Sequence, residues 1–239
     1  MLGNRVLRLR LPITVAGAAL TALLPRAAFA AVQPVSVSPL DCAGPNSCRI
    51  VSVYQFVFWM AMFVLVVVGG LILFAAIRFR RRDESEPSQV HGNTRLEIAW
   101  TLVPLVMLLF IFGLTFSSMD FVRNGPHEDM TVRVTAQQFA FQFIYPNGAR
   151  RADLTIPTGK VVRLEVTSKD VLHAFWVPRL GGQIYAIPGQ MNHGWIEATN
   201  PGTYLGQCNE LCGRGHAFMQ ISVTAMSPAQ YDSWYAALK

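Results

Sequence analysis

The chain predicts a two-helix transmembrane hairpin followed by an all-β sandwich or barrel, and three observations carry that prediction. Two long apolar runs stand in the first half, one of them 27 residues without a charge. An arginine-rich stretch separates them. The second half then switches to short alternating segments punctuated by Pro-Gly and Asn-Gly turns. With 52% hydrophobic and 14% charged residues and a mean hydropathy of +0.33, the chain is too apolar for an ordinary soluble domain. Disorder is excluded on the same ground.

The N-terminal 30 residues read as a cleaved signal peptide. Arg5, Arg8 and Arg10 form a basic region, Leu11 to Leu24 an apolar one, and Ala28-Phe29-Ala30 supplies the small residues a signal peptidase reads. A retained membrane helix is the alternative, but Pro25 and Arg26 end the apolar run at 14 residues, short of the ~20 that a span needs. Residues 31–50 then form an exported segment. Its Cys42 and Cys48 either close a small disulfide loop or stay unpaired.

Residues 51–77 exceed a ~30 Å hydrocarbon core at ~1.5 Å per residue, so they must span. Residues 78–97 follow as a loop holding Arg78, Arg80, Arg81, Arg82 and Arg95, which places it in the cytoplasm. The second span is 98–116. Its Pro104 is tolerated there because membrane helices re-satisfy a freed carbonyl more readily than soluble ones. Tyr54, Trp59 and Trp100 suit the interfacial belts, or serve only as packing aromatics. Glu97, at the cytoplasmic edge, reads on its own as a carboxylate that reaches back to water.

Residues 120–239 are long enough for one compact domain. Thr131–Thr135 and Val162–Val166 alternate as half-buried strands, Gln138 to Tyr145 is aromatic-rich, and Pro146-Asn147-Gly148 turns the chain. Further turns fall at Pro157-Thr158-Gly159, Gly181-Gly182, Pro188-Gly189 and Pro201-Gly202. The tail reads as a short helix with Ser227 as N-cap and Pro228 at its first position. The net charge of +6 drops to +2 without the signal peptide, and from Asp120 onward ten basic residues face nine acidic ones. No cluster follows a phosphate backbone, so nucleic-acid binding is excluded. His91 and His193 read as solvent-facing or structural.

The chemistry lies in Cys208-Asn209-Glu210-Leu211-Cys212-Gly213-Arg214-Gly215-His216-Ala217-Phe218-Met219. Four soft or borderline ligands within twelve residues would also line one face of a helix. Gly213 and Gly215 argue for a loop instead, since each costs a helix roughly 1 kcal/mol relative to Ala. With a distant His173, two thiolates and an imidazole suit tetrahedral zinc, and a Cys208–Cys212 disulfide or inert thiols are also open. Met219 favours copper, because a thioether is a poor zinc ligand and a recurrent weak copper ligand. Two thiolates can each bridge two copper ions, with His173 and His216 terminal and Met219 completing one ion. Spreading one charge change over two ions makes each bond alter little, which favours fast electron transfer.

Two spans followed by this loop resemble subunit II of the haem-copper cytochrome c oxidases, from about residue 50 to the end. The likeness also rests on Asp170-Val171-Leu172-His173, Phe175-Trp176-Val177-Pro178, Ala186-Ile187-Pro188-Gly189, Pro201-Gly202-Thr203-Tyr204 and Gly206-Gln207-Cys208. It implies a cupredoxin-like, Greek-key exported domain carrying the binuclear CuA centre, with Cys208 and Cys212 bridging, His173 and His216 terminal, and Met219 on one copper. The backbone carbonyl of Glu210 would hold the other copper. The Glu210 side chain would help hold a magnesium or manganese ion at the interface with subunit I. Glu97 would stand at the cytoplasmic mouth of a proton channel. Where relatives commonly read Gln-Trp-Tyr-Trp, this chain has Gln138-Phe139-Ala140-Phe141, so the resemblance puts the point where electrons enter at Phe139 and Phe141. The implied partners are a haem-bearing subunit I, further oxidase subunits, membrane lipid, and a c-type cytochrome or other small carrier. No C-x-x-C-H occurs in the chain, so the donor comes from elsewhere. The quinol-oxidase relatives keep the fold without the copper ligands, and the four intact ligands of the loop set this chain apart from them. The implied place is a bacterial inner membrane, with the C-terminal domain on the periplasmic side.

Overall fold

The computed structural model describes residues 41–80, 86, 89 and 92–238. The expected signal peptide 1–30, residues 31–40, His91 and the middle of the arginine loop, with Arg81 and Arg82, lie outside the described residues. Two helices come first, α1 (Pro45–Arg78) and α2 (Thr94–Asn124), both apolar and long enough to cross a membrane. Each is longer than the apolar run read from hydropathy.

The extensions have local causes. Pro45 at the first position of α1 has its φ preset for a helix, and Ser47 Oγ accepts from Gly44 N at 3.3 Å. The helix therefore starts six residues before Val51. Cys42 and Cys48 are joined by a disulfide across this start, which resolves the alternative left open above. At α2, the Asn93 side chain accepts from Leu96 N at 3.2 Å, and Glu97 Oε1 accepts from Asn93 N at 3.2 Å. Glu97 thus lies within the first helical turn, as the reciprocal half of a capping pair. Pro104 sits inside α2, which continues past Phe116 to Asn124.

Ten strands follow in two five-stranded sheets among the described residues. They are β1 (Met130–Gln137), β2 (Ala140–Ile144), β3 (Arg150–Arg151), β4 (Leu154–Pro157) and β5 (Val162–Ser168). After these come β6 (His173–Trp176), β7 (Ile184–Ala186), β8 (Asn192–Ile196), β9 (Gly202–Cys208) and β10 (Gln220–Met226). One sheet has the order β3-β2-β1-β5-β8 and the other β4-β10-β9-β6-β7. The β1–β5 and β4–β10 pairs are parallel, which takes the chain across between sheets rather than along a simple meander. Alternation decides what is buried: Val132, Val134, Leu164 and Val166 face inward from one sheet, and Leu154, Ile156, Phe175, Ile221 and Val223 from the other. A closing helix, α3 (Pro228–Ala236), is capped through Ser227 and Gln230 as its sequence predicts.

The hairpin is bolted to the sandwich rather than strung from it. Asn46 Nδ2 donates to Trp195 O at 2.9 Å and to Val122 O at 3.2 Å, joining α1, α2 and β8 through one buried side chain. Trp195 Nε1 donates to Phe121 O at 2.9 Å, and its ring meets Phe121 edge-on at 5.2 Å. Ser47 Oγ donates to Arg179 O at 2.6 Å, and Ala43 N to the same carbonyl at 2.8 Å. Buried bonds of this kind contribute about 1 kcal/mol each.

Candidate metal centre

Three neighbouring strands bring the donors together. β6 runs antiparallel to β9, with Phe175 opposite Cys208. Side chains alternate along a strand, so His173, two residues before Phe175, shares the inward face with Cys208. β9 and β10 are also antiparallel, and Cys208 N donates to Met219 O at 2.9 Å, closing the neck of the loop between them. Inside that neck the chain makes a short 3-10 turn, His216–Phe218, which returns the His216 and Met219 side chains towards the cysteines.

The result is a continuous run of donor atoms. His173 Nδ1 stands 3.9 Å from Cys208 Sγ, which stands 3.9 Å from Cys212 Sγ. Cys212 Sγ in turn lies 3.7 Å from His216 Nδ1 and 3.8 Å from Met219 Sδ. The carbonyl oxygen of Glu210 is 3.3 Å from Cys208 Sγ, while no hydrogen bond or ion pair engages the Glu210 carboxylate among the described residues. His173, Cys208, Cys212 and Met219 are buried and His216 is half-buried. The donor atoms of His173, Cys208 and Cys212 all lie within 4.8 Å of one another.

These separations fit metal. A disulfide needs sulfurs about 2.05 Å apart, so at 3.9 Å the two thiols are free. Two metal–thiolate bonds of ~2.3 Å can meet at one ion when the donors stand closer than ~4.6 Å, and every step of the run satisfies this. Burial, and then the neighbouring Cys208 sulfur, push the Cys212 thiol above its ordinary range. Two buried sulfurs this close ionise together only if a cation offsets their charge. The thioether of Met219, 1% exposed and in line with the sulfurs, favours copper over zinc.

Around the donors stands a second set of contacts that the sequence reading did not assign. Asp170 Oδ1 accepts from His173 Nε2 at 2.8 Å and from Val171 N at 2.7 Å, and Asp170 Oδ2 accepts from Gln138 N at 2.7 Å. With the Nε2 proton held by the carboxylate, Nδ1 presents its lone pair to the cysteines. Burial pushes the Asp170 carboxyl up, but its donors from Gln138, His173 and Val171 outweigh this and hold it well below the usual carboxylate range. Gln138 Nε2 donates to Cys212 O at 2.6 Å, so one residue carries the restraint from Asp170 to the cysteine loop. The signal was present in the three-residue step from Asp170 to His173, within a motif quoted above without a role for its acid.

Phe139 and Phe141 both stand beside the site, Phe141 against His173 and Phe139 against Gly213 and Gly215. Phe141 is buried and meets the His173 ring edge-on at 6.5 Å. Phe139 is 42% exposed and lies across the loop. A Cβ on Gly215 would stand 2.6 Å from the Phe139 ring, and one on Gly213, at φ +131°, would meet Gln138 Nε2 at 2.8 Å. The close contacts of these two glycines are with Gln138 and Phe139. Glu97, at the far end of the hairpin, is no part of this cluster.

Fold and donors together define a β-sandwich protein with two membrane-length helices and a largely buried thiol–imidazole–thioether cluster. A family profile described as cytochrome c oxidase subunit II, periplasmic domain, matches residues 131–226, and one described as the subunit II transmembrane domain matches residues 34–118. Cytochrome c oxidase subunit 2 of Alkalihalophilus pseudofirmus is 37% identical over 209 residues, covering 83% of this chain and 61% of that protein. A probable cytochrome c oxidase subunit 2 of Rickettsia bellii is 31% identical over 206 residues, 77% of each. Among solved structures, the periplasmic domain of cytochrome oxidase subunit II of Bradyrhizobium japonicum is 33% identical at a TM-score of 0.46, covering 47% of this chain and 95% of that one. The chain therefore spans 61% of the length of the Alkalihalophilus relative. It belongs to the cytochrome c oxidase subunit II family.

Proposed function

We propose that this chain is the copper-bearing subunit through which electrons enter a respiratory terminal oxidase of a bacterial inner membrane. One observation carries the reading: five side-chain donors and one carbonyl form an unbroken run with no step longer than 3.9 Å. Cys208 and Cys212 would hold a pair of copper ions between them, with His173, His216, Met219 and the Glu210 carbonyl supplying the remaining donors. Copper held there supplies one-electron chemistry between a c-type cytochrome, or a similar small carrier, and haem in subunit I, where oxygen is reduced to water and protons are moved. The chain's own residues bind, orient and exclude water. Asp170 keeps the Nε2 proton of His173 in place, Gln138 fixes the loop at Cys212, and the sandwich keeps solvent from both sulfurs.

Phe139, exposed over the loop, is the point where electrons arrive, and Phe141 packs behind His173. The unengaged Glu210 carboxylate is available to a magnesium or manganese ion at the subunit I interface. Glu97 stands at the cytoplasmic mouth of a proton path while also capping α2. The signal peptide is removed after Ala30, residues 31–50 and the copper domain lie on the periplasmic side, and the arginine loop is cytoplasmic.

The deciding experiment is metal analysis with electron paramagnetic resonance on the purified full chain and its Cys208→Ser variant. Two coppers sharing one unpaired electron, with a near-infrared band that the variant loses, is the expected result. A colourless protein, a single ion per chain, or a band that survives the substitution would overturn the reading.

A further inference from the structure

Away from the copper, two cavities meet where the hairpin joins the sandwich. A polar one of about 630 Å³ lies between the end of α2 and the β7–β8 edge, and its walls include Arg123, Asn124, Arg163, Gln183 and His193. An apolar one of about 400 Å³ runs down between α1 and α2, lined by residues such as Ile50, Val53, Thr115 and Met119. Val122 and Arg123 line both, so the two adjoin. No acidic side chain lines either cavity among the described residues. Arg163 is 3.6 Å from Glu128, whereas Arg123 has no ion-pair partner among the described residues.

The vertical order matters. Arg123 is in the last turn of α2, and Thr115 lies about 12 Å further along the helix at ~1.5 Å per residue. A basic chamber therefore adjoins an apolar cleft that reaches along α2 to Thr115, inside the second apolar run. A peptide segment would leave one of these halves unmatched. An anionic headgroup on an acyl chain matches both, since arginine forks suit phosphate oxygens and the cleft is apolar.

We propose that these adjoining cavities bind one anionic phospholipid, its phosphodiester at Arg123 and Arg163 and one acyl chain between α1 and α2. The site rests on the hairpin lying in a bilayer and is independent of the copper. The test is native mass spectrometry of the delipidated, copper-loaded full chain in detergent. Three probes are added separately: dioleoyl phosphatidylglycerol, dioleoylglycerol with the same tails and no phosphate, and glycerol 3-phosphate with no tails. One equivalent of the phosphatidylglycerol is retained and neither of the others is. Arg123→Gln weakens retention about tenfold, as loss of a charge-assisted contact requires. Thr115→Trp, which fills the cleft without touching the arginines, weakens it too. Equal retention of dioleoylglycerol, or full retention by both variants, overturns the site. So does finding, in the purified oxidase, that Thr115 cross-links to protein instead of to lipid. The near-infrared band is read in the same samples, so lost lipid retention with an intact band counts against this site alone.

Discussion

Replacing Asp170 by Asn removes a charge from behind His173 while leaving every metal donor in place. In the less disruptive amide orientation Oδ1 still accepts from His173 Nε2 and Val171 N, and the new NH2 group faces Gln138 N, which now donates at 2.7 Å. Donor then meets donor, and one charge-assisted bond worth roughly 1.5–3 kcal/mol is gone. The flipped amide is worse, because it faces both His173 and Val171 with a donor. The disturbance reaches Cys212 through Gln138 Nε2, 2.6 Å from the Cys212 carbonyl. Copper affinity should fall about 10–100-fold, the range for loss of an outer partner of a ligating histidine. Competition with a copper chelator on the full chain measures this, with circular dichroism of the metal-free variant as the control for folding. An affinity equal to that of the parent chain, with the fold intact, would refute the claim that Asp170 positions His173.

Three further outcomes follow from the packing. Gly215→Ala drives a methyl into the Phe139 ring and should cost about 1–3 kcal/mol, and the cost should largely vanish in a Phe139→Ala background when thermal midpoints are compared. Asn46→Ala leaves the carbonyls of Val122 and Trp195 without their donor and should destabilise the chain by about 2 kcal/mol in thermal unfolding. Tyr145 is buried and hydrogen-bonded to Thr155, and burial raises its phenol to about 12 from an ordinary 10.0. A raised folded-state value means this stabilisation is complete below pH 10 and is lost as pH climbs to 12, by roughly 3 kcal/mol. Tyr145→Phe should flatten that part of the alkaline unfolding profile, and an unchanged slope would count against the assignment.

How much was legible in the sequence depended on how far apart the partners lie along the chain. The donor loop could be read because its four side-chain donors occupy twelve consecutive residues, between two strands whose alternation is plain. His173 lies 35 residues from Cys208 and is brought to it only by the β6–β9 pairing, which no local pattern specifies. The helix starts escaped hydropathy altogether. Asn46 and Ser47 are polar, so they read as part of an exported tail, yet both are buried because their partners are backbone carbonyls on distant segments, 149 residues away for Asn46 and Trp195. Glu97 likewise read as the edge of a loop because its role is to cap a turn that carries no apolar signal.

The bolting of α1 and α2 to β8 has a mechanical consequence. With the side chain of Asn46 joining α1, α2 and β8 and the Trp195 indole holding the last turn of α2, the described residues leave no free hinge between the helices and the sandwich. A domain mounted in this way cannot act as a swinging arm that visits first a donor and then an acceptor. It is a fixed jetty rather than a crane, and under the proposed function a carrier would have to dock where it stands.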